Sequence, residues 1–146
     1  YRRDEILVTL AGPASNIFTA TIALILLIVI KHVSAGGVTA VATAVALASN
    51  IPGISTVGLP VLTPISLLLY YMILINLLLF VFNLIPIPPL DGSHILRHFL
   101  PYKALQLYDR MGMIGLIVLF LIGGSFIFTL FFSPLLNTFN HLLFTL

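Results

Sequence analysis

Three apolar stretches of the chain are long enough to cross a bilayer. They run over Ile6–Ile30, Ile65–Leu90 and Met111–Phe132, and none of them contains Asp, Glu, Lys or Arg. A transmembrane helix needs about 20 consecutive, mainly apolar residues. The pattern therefore predicts an all-α integral membrane protein with three spans, residues 6–30, 65–90 and 111–132.

The segments between and after these stretches have a different character. The connection 31–64 contains Gly36-Gly37 and Pro52-Gly53, and its apolar piece 38–47 is too short to span, so we expect a re-entrant or interfacial element there. Residues 135–146 mix Asn and His with Leu and Phe, a pattern typical of a short amphipathic helix at the interface. With the loop 91–110, these parts complete a predicted single membrane domain, residues 1–146.

Composition agrees with a membrane protein and narrows the chemistry. Hydrophobic residues make up 60% of the chain and charged residues only 7%, whereas soluble proteins carry roughly 25% charged residues. The net charge of +2 gives no reason to expect a nucleic-acid partner, so the lipid bilayer is the expected surrounding. The chain has no cysteine, so a metal would have to bind through His, Asp or Glu.

The cations predict the orientation, because they are distributed unequally between the connecting segments. Arg2 and Arg3 precede the first span, and Arg97, Lys103 and Arg110 lie between the second and third. The connection 31–64 has Lys31 alone. The positive-inside rule therefore places the N-terminus and the loop 91–110 in the cytoplasm.

Asp91 is the first charged residue after Lys31. An ionisable side chain at membrane depth is costly and marks a functional site by default. The alternative is that Asp91 caps a short helix beginning at Gly92, with its carboxylate in headgroup water. Both interpretations are open from spacing alone.

Asparagines within the spans raise a similar question. Asn76 and Asn83 lie two helical turns apart on one face, and Asn16 interrupts the first span beside Gly12-Pro13. Such amides either bond across helices or face a substrate. Pro86, Pro88 and Pro89 prevent a regular helix after Asn83, and non-helical backbone at membrane depth must be buried in protein or line a wet cavity. We therefore expect a wet pocket that contains Asn83 and Asp91.

A local metal site is a further alternative. Asp91, His94 and His98 have the i, i+3, i+7 spacing that brings side chains to one helix face. No Glu stands between the histidines, and the surrounding residues resemble an amphipathic interfacial helix. Contact of the histidines with headgroups is the favoured interpretation.

Two motifs together resemble the site-2 protease family of intramembrane zinc metalloproteases. They are Gly12-Pro-Ala-Ser-Asn16 in one span and Asn83-Leu-Ile-Pro-Ile-Pro-Pro-Leu-Asp-Gly92 at the end of the next. The likeness is to the compact branch with a three-span catalytic core, and it extends loosely to Ser133-Pro134. It implies zinc as cofactor, a transmembrane protein substrate, and a prokaryotic cell membrane as location.

The resemblance also implies roles for single residues. Asp91 matches the family's third zinc ligand, and Asn83 matches an asparagine that holds the substrate backbone or the developing oxyanion. The remaining matched positions belong to the two motifs and are structural or substrate-facing: Gly12, Pro13, Asn16, Pro86, Pro88 and Gly92.

The chain departs from the family in lacking His-Glu-x-x-His, which supplies the general base and two zinc ligands. Its only glutamate is Glu5, and it begins at Tyr1 rather than Met. We expect this to be the part of a protease core that carries Leu-Asp-Gly. The alternatives are a degenerate, non-catalytic relative or scaffold, and an ion or proton pathway through Asp91.

Overall fold

The computed structural model describes residues 2–55, 57–88 and 90–146, apart from the side chains of Arg2, Arg3 and Glu5. Every regular element in these residues is helical. Three helices are long and apolar enough to cross a membrane: Ile6–Val33, Thr63–Leu84 and Tyr102–Thr145. The predicted all-helical class is confirmed, and these three helices have the length and apolar character that were predicted for the spans.

The helices follow one another along the chain in a simple order. They are α1 (Arg2–Val33), α2 (Gly37–Ala48), α3 (Thr63–Leu84), α4 (Gly92–Arg97), α5 (Tyr102–Val118), α6 (Gly124–Ile127) and α7 (Ser133–Thr145). Two π-helical segments, Leu119–Gly123 and Phe128–Phe132, join α5 to α6 and α6 to α7.

Several boundaries differ from the sequence prediction. The apolar stretch 65–90 is a regular helix only as far as Leu84, as the prolines that follow it predict, because prolines lack the N–H groups that would continue the helix. The predicted loop 91–110 is mostly helical, since it holds α4 and the first half of α5. Residues 135–146 are not a separate helix, because α7 continues the preceding π segment without a break. The wider π turn precedes Pro134, whose ring would otherwise press on the carbonyl four residues earlier.

The chain divides into two compact units. The first comprises Tyr1–Ile17 with Leu77–Leu135, and the second comprises Phe18–Asn76 with Leu136–Leu146. The arrangement of residues 1–146 as one domain stays a prediction.

Small residues allow the helices of the second unit to pack closely. Ala20, Ala23, Ala40 and Ala44 are fully buried, and a β-carbon at Gly37 would collide with the Ile30 carbonyl oxygen. Two polar contacts hold the part of α7 that belongs to this unit, from Leu136 onward. Lys31 Nζ donates to the Leu143 carbonyl oxygen at 2.9 Å, and the Tyr70 hydroxyl donates to Asn140 Oδ1 at 2.9 Å.

The first unit contains the start of α1, the end of α3, and α4 to α6. Phe82 of α3 stacks on Phe120, with 5.2 Å between ring centroids, so the end of α3 packs along the helix that follows α5. This unit contains both sequence motifs.

Candidate functional site

Asp91 does not cap α4. It occupies the residue before the helix, but its backbone is already helical, with φ −57° and ψ −38°, and its side chain makes no capping hydrogen bond. A capping aspartate ordinarily has extended backbone, which lets its carboxylate turn back to the first N–H groups. The capping interpretation is therefore wrong, and the half-buried carboxylate is directed elsewhere.

The carboxylate lies instead against α1. A β-carbon built on Gly12 would be 3.0 Å from Asp91 Oδ2, so the carboxylate occupies space that a side chain at position 12 would need. Gly12 is six residues inside the apolar stretch Ile6–Val33, which corresponds to about 9 Å along a helix. The two predicted motifs therefore meet at the carboxylate, beside the apolar part of α1.

A cavity of about 640 Å³ opens beside this contact. It is lined by residues of the first turns of α1 and by residues along the whole Asp91–His98 segment: Asp4, Val8, Thr9, Gly12, Asp91, His94, Arg97 and His98. The start of α1 and the end of α3 thus lie at the same end of this unit. Its charged and imidazole lining makes the cavity suitable for water.

Asn83 is not among the residues that line this cavity. It lies in the last turn of α3 and is half-buried. The Asn76 amide nitrogen donates to the Met72 carbonyl oxygen of the same helix at 2.8 Å, so one of its N–H groups is used locally. The expected grouping of Asn83 with Asp91 in one pocket stays a prediction.

The segment between α3 and α4 is folded into tight turns rather than extended. The Ile87 N–H donates to the Ile85 carbonyl oxygen, and the Leu90 N–H donates to the Ile87 carbonyl oxygen, each at 2.9 Å. Pro86 is exposed and Pro88 is half-buried, while Pro89 lies outside the described residues. The turns return the chain sharply, which places Asp91 beside α1.

Gly92 is required by the same sharp return. A β-carbon at this buried position would lie 2.6 Å from the Leu84 carbonyl oxygen and 2.7 Å from that of Ile85. Both are backbone atoms, which cannot rotate away. The glycine that follows Asp91 therefore allows α4 to begin directly against the end of α3.

Pro13 and Asn16 lie in an unbroken helix. Pro13 is buried inside α1 and does not interrupt it. Asn16 is half-buried one turn after Gly12, so both are on the same face of α1. The Ser15 hydroxyl donates to the Gly12 carbonyl oxygen at 2.7 Å. The absence of a side chain at Gly12 thus lets the Asp91 carboxylate approach this face of α1.

The residues of the cavity do not form a complete metal site. His94 and His98 share the cavity with Asp91, yet no three His, Asp or Glu side chains within residues 2–55, 57–88 and 90–146 are arranged to hold a metal. The local site of Asp91, His94 and His98 is therefore not supported. A carboxylate that borders the cavity and makes no capping bond fits one zinc ligand, and the described residues supply no complete set of ligands around it.

Three features of this unit were not predicted from the sequence. The Tyr108 hydroxyl donates to the Pro86 carbonyl oxygen at 2.7 Å, and Arg97 pairs with Asp109 at 2.6 Å. The third feature is the pair of π segments after α5, a type of irregularity that is frequent at functional sites. Of these, only the contact made by Tyr108 could have been suspected from the sequence, because Tyr108, Gly112 and Gly115 have the spacing of one helix face.

These observations describe a multi-pass helical membrane protein in which a carboxylate borders a polar cavity beside the apolar part of α1. The chain matches the model of Peptidase family M50, the site-2 protease family, over residues 1–123, and it belongs to that family. No curated protein and no solved structure matches the chain. Membership supports a metalloprotease of the membrane, and the family is generally zinc-dependent.

Proposed function

We propose that this chain is part of the catalytic core of a site-2-type intramembrane zinc metalloprotease, with Asp91 as one zinc ligand. The observation that carries the proposal is the approach of Asp91 Oδ2 to Gly12, because it brings a carboxylate free of capping to a polar cavity inside the apolar stretch of α1. Family membership supplies the chemistry.

The chain's own residues would contribute binding and positioning. Asp91 would hold zinc, which when bound polarises a scissile carbonyl and brings the pKa of its water to about 7. Asn83 would donate its amide to the substrate backbone or to the developing oxyanion. Gly12 and Gly92 leave the space in which the carboxylate and the start of α4 fit. The general base and the other ligands, absent from this sequence, would come from residues outside it.

The substrate would be a membrane-embedded protein segment. A helical peptide hides its carbonyls in its own hydrogen bonds, so the substrate would have to unwind near the cavity. Because the segment after α3 is folded in turns, it offers no long strand for the substrate to pair with, and the half-buried Asn83 amide is the better anchor. Cleavage would occur at the cytoplasmic end of the spans, where the positive-inside rule places the Asp91 end.

The test compares Asp91→Asn with the wild type in the full-length native protein, reconstituted in lipid. The matched control is His141→Gln, which alters an exposed ligand-type side chain in the second unit. We expect the Asp91 variant to lose bound zinc and at least about 100-fold of its proteolysis of a membrane-embedded reporter, because the third ligand is lost. The His141 variant should keep both.

The other outcomes are equally informative. Bound zinc and full activity in Asp91→Asn would refute the proposed ligand. A wild-type protein without zinc and without proteolysis would favour a non-catalytic relative. A separate role for Asn83 predicts that Asn83→Ala lowers turnover while zinc content stays unchanged, and an equal loss of both would contradict it.

A further inference from the structure

Helix α5 contacts the chain on both sides of Asp91. Before Asp91, the Tyr108 hydroxyl donates to the Pro86 carbonyl oxygen at 2.7 Å. After Asp91, the Asp109 carboxylate accepts a bond from the Arg97 guanidinium at 2.6 Å. Two consecutive residues of one helix therefore hold the two ends of the segment that carries the carboxylate.

The same helix packs against the intervening turns with almost no gap. A β-carbon at the buried Gly112 would lie 2.9 Å from Pro88 Cβ, and one at Gly115 would lie 3.5 Å from Ile87 Cγ2. Tyr108, Gly112 and Gly115 lie on one face of the helix, because residues four and seven positions apart are neighbours there. A proline ring cannot rotate away, so Gly112 fixes how closely α5 approaches.

We propose that Tyr108, Asp109 and Gly112 form a clamp that positions the Asp91 carboxylate. We call these three residues the α5 clamp. The inference rests on the proposed function for its catalytic consequence, since the clamp would set where a zinc ligand lies. The residues of the clamp are positioning residues, because they act on the reaction through the Asp91 segment.

The need for such a clamp follows from the local structure. The turns from Ile85 to Asp91 contain few backbone hydrogen bonds, and α4 has only six residues, which is too short to be stable alone. The Asp91 side chain itself makes no capping bond that would fix it. External contacts must therefore hold this segment, and α5 supplies a hydrogen bond, an ion pair and a close packing contact.

The first experiment measures order in the segment without relying on activity. Amide hydrogen exchange is followed by mass spectrometry in the full-length native protein in lipid nanodiscs, for Tyr108→Phe and Gly112→Ala. The controls are Tyr102→Phe, an exposed tyrosine in the first turn of α5, and Gly124→Ala, where an added β-carbon meets nothing within 4 Å. We expect exchange of peptide 85–98 to rise about tenfold in the first two variants, with peptide 37–48 unchanged.

The second experiment separates positioning from general support of the fold. Tyr108→Phe should lower kcat about tenfold and leave KM within a factor of about two, because the substrate still binds while the carboxylate is misplaced. Asp109→Asn removes the ion pair, leaves the residues that line the cavity unchanged, and should lower kcat. Asp109→Glu, which can still pair with Arg97, should stay within about threefold of the wild type.

Two results would overturn the clamp. One is exchange in peptide 85–98 equal to that of the controls, and the other is an Asp109→Glu variant no more active than Asp109→Asn. Both differ from failure of the proposed function, which would appear as a wild-type protein with neither zinc nor proteolysis. Even if the wild-type protein has neither zinc nor proteolysis, the hydrogen-exchange comparison still shows whether α5 holds residues 85–98 in place.

Discussion

Asp91 Oδ2 lies directly against Gly12, where a β-carbon added to the glycine would be only 3.0 Å from the oxygen. The two residues come from the two motifs of the sequence and are separated by α2 and α3. Since Gly12 lies inside the apolar stretch of α1, the contact brings the carboxylate beside apolar helix rather than beyond its end. A substitution that enlarges residue 12 therefore tests the position of the Asp91 carboxylate directly.

Enlarging Gly12 should damage the site more than the fold. Alanine in a helix interior is favoured over glycine by about 1 kcal/mol, so Gly12→Ala should not unfold the protein. The added methyl group would press on the Asp91 carboxylate, and we expect turnover to fall about tenfold, with a larger loss in Gly12→Val. Proteolysis and zinc content of the native protein, with Gly124→Ala as control, measure this. Wild-type activity in Gly12→Val would contradict the contact.

The sequence predicted the spans and the motif residues because long apolar runs and prolines act locally. The three apolar helices and the end of a regular helix before Pro86 follow from hydropathy and from missing N–H groups. The sequence did not predict the backbone angles of Asp91. The backbone there is surrounded by contacts that no local pattern shows: Gly92 packs against the Leu84 carbonyl, and Tyr108, 22 residues after Pro86, bonds to the Pro86 carbonyl.

The π segments were equally hidden from the sequence analysis. Residues 119–123 and 128–132 have the composition of any apolar helix, and only their hydrogen-bonding pattern distinguishes them. The continuous helix through Pro134 is a related case, because the sequence alone favoured a break there.

Gly92→Ala should destabilise the first unit. Its β-carbon would lie 2.6 Å from the backbone oxygen of Leu84, and overpacking of this kind costs about 1–3 kcal/mol. We expect a lower midpoint of thermal unfolding in lipid and faster hydrogen exchange at residues 85–94. Gly124→Ala, with open space around the new methyl group, is the matched control. Equal midpoints of thermal unfolding for Gly92→Ala and Gly124→Ala would contradict the close packing of Gly92 against the end of α3.

The Tyr70–Asn140 hydrogen bond should stabilise the second unit. Tyr70 is 2% exposed and its hydroxyl donates to Asn140 Oδ1, so Tyr70→Phe leaves a half-buried amide oxygen without its donor. The expected loss is about 1 kcal/mol in the free energy of unfolding, measured by denaturant titration in mixed micelles. The control is Tyr71→Phe, which removes a hydroxyl from the neighbouring tyrosine, 43% exposed. If both variants lose the same free energy, the bond contributes nothing specific to α7.

The predicted orientation can be tested by cysteine labelling, because residues 1–146 contain no cysteine that would compete with an introduced one. Val57→Cys, at a position 87% exposed in the connection between α2 and α3, and Lys103→Cys, in the first turn of α5, provide one reporter for each side. If the Asp91 loop is cytoplasmic, a membrane-impermeant maleimide added to intact cells should label the Val57→Cys variant at once and the Lys103→Cys variant only after permeabilisation. The five cations at the N-terminus and in the 91–110 loop, against Lys31 alone in the connection, are the physical reason. The opposite labelling order would invert the topology, and the proposed cleavage would then take place at the outer face of the membrane.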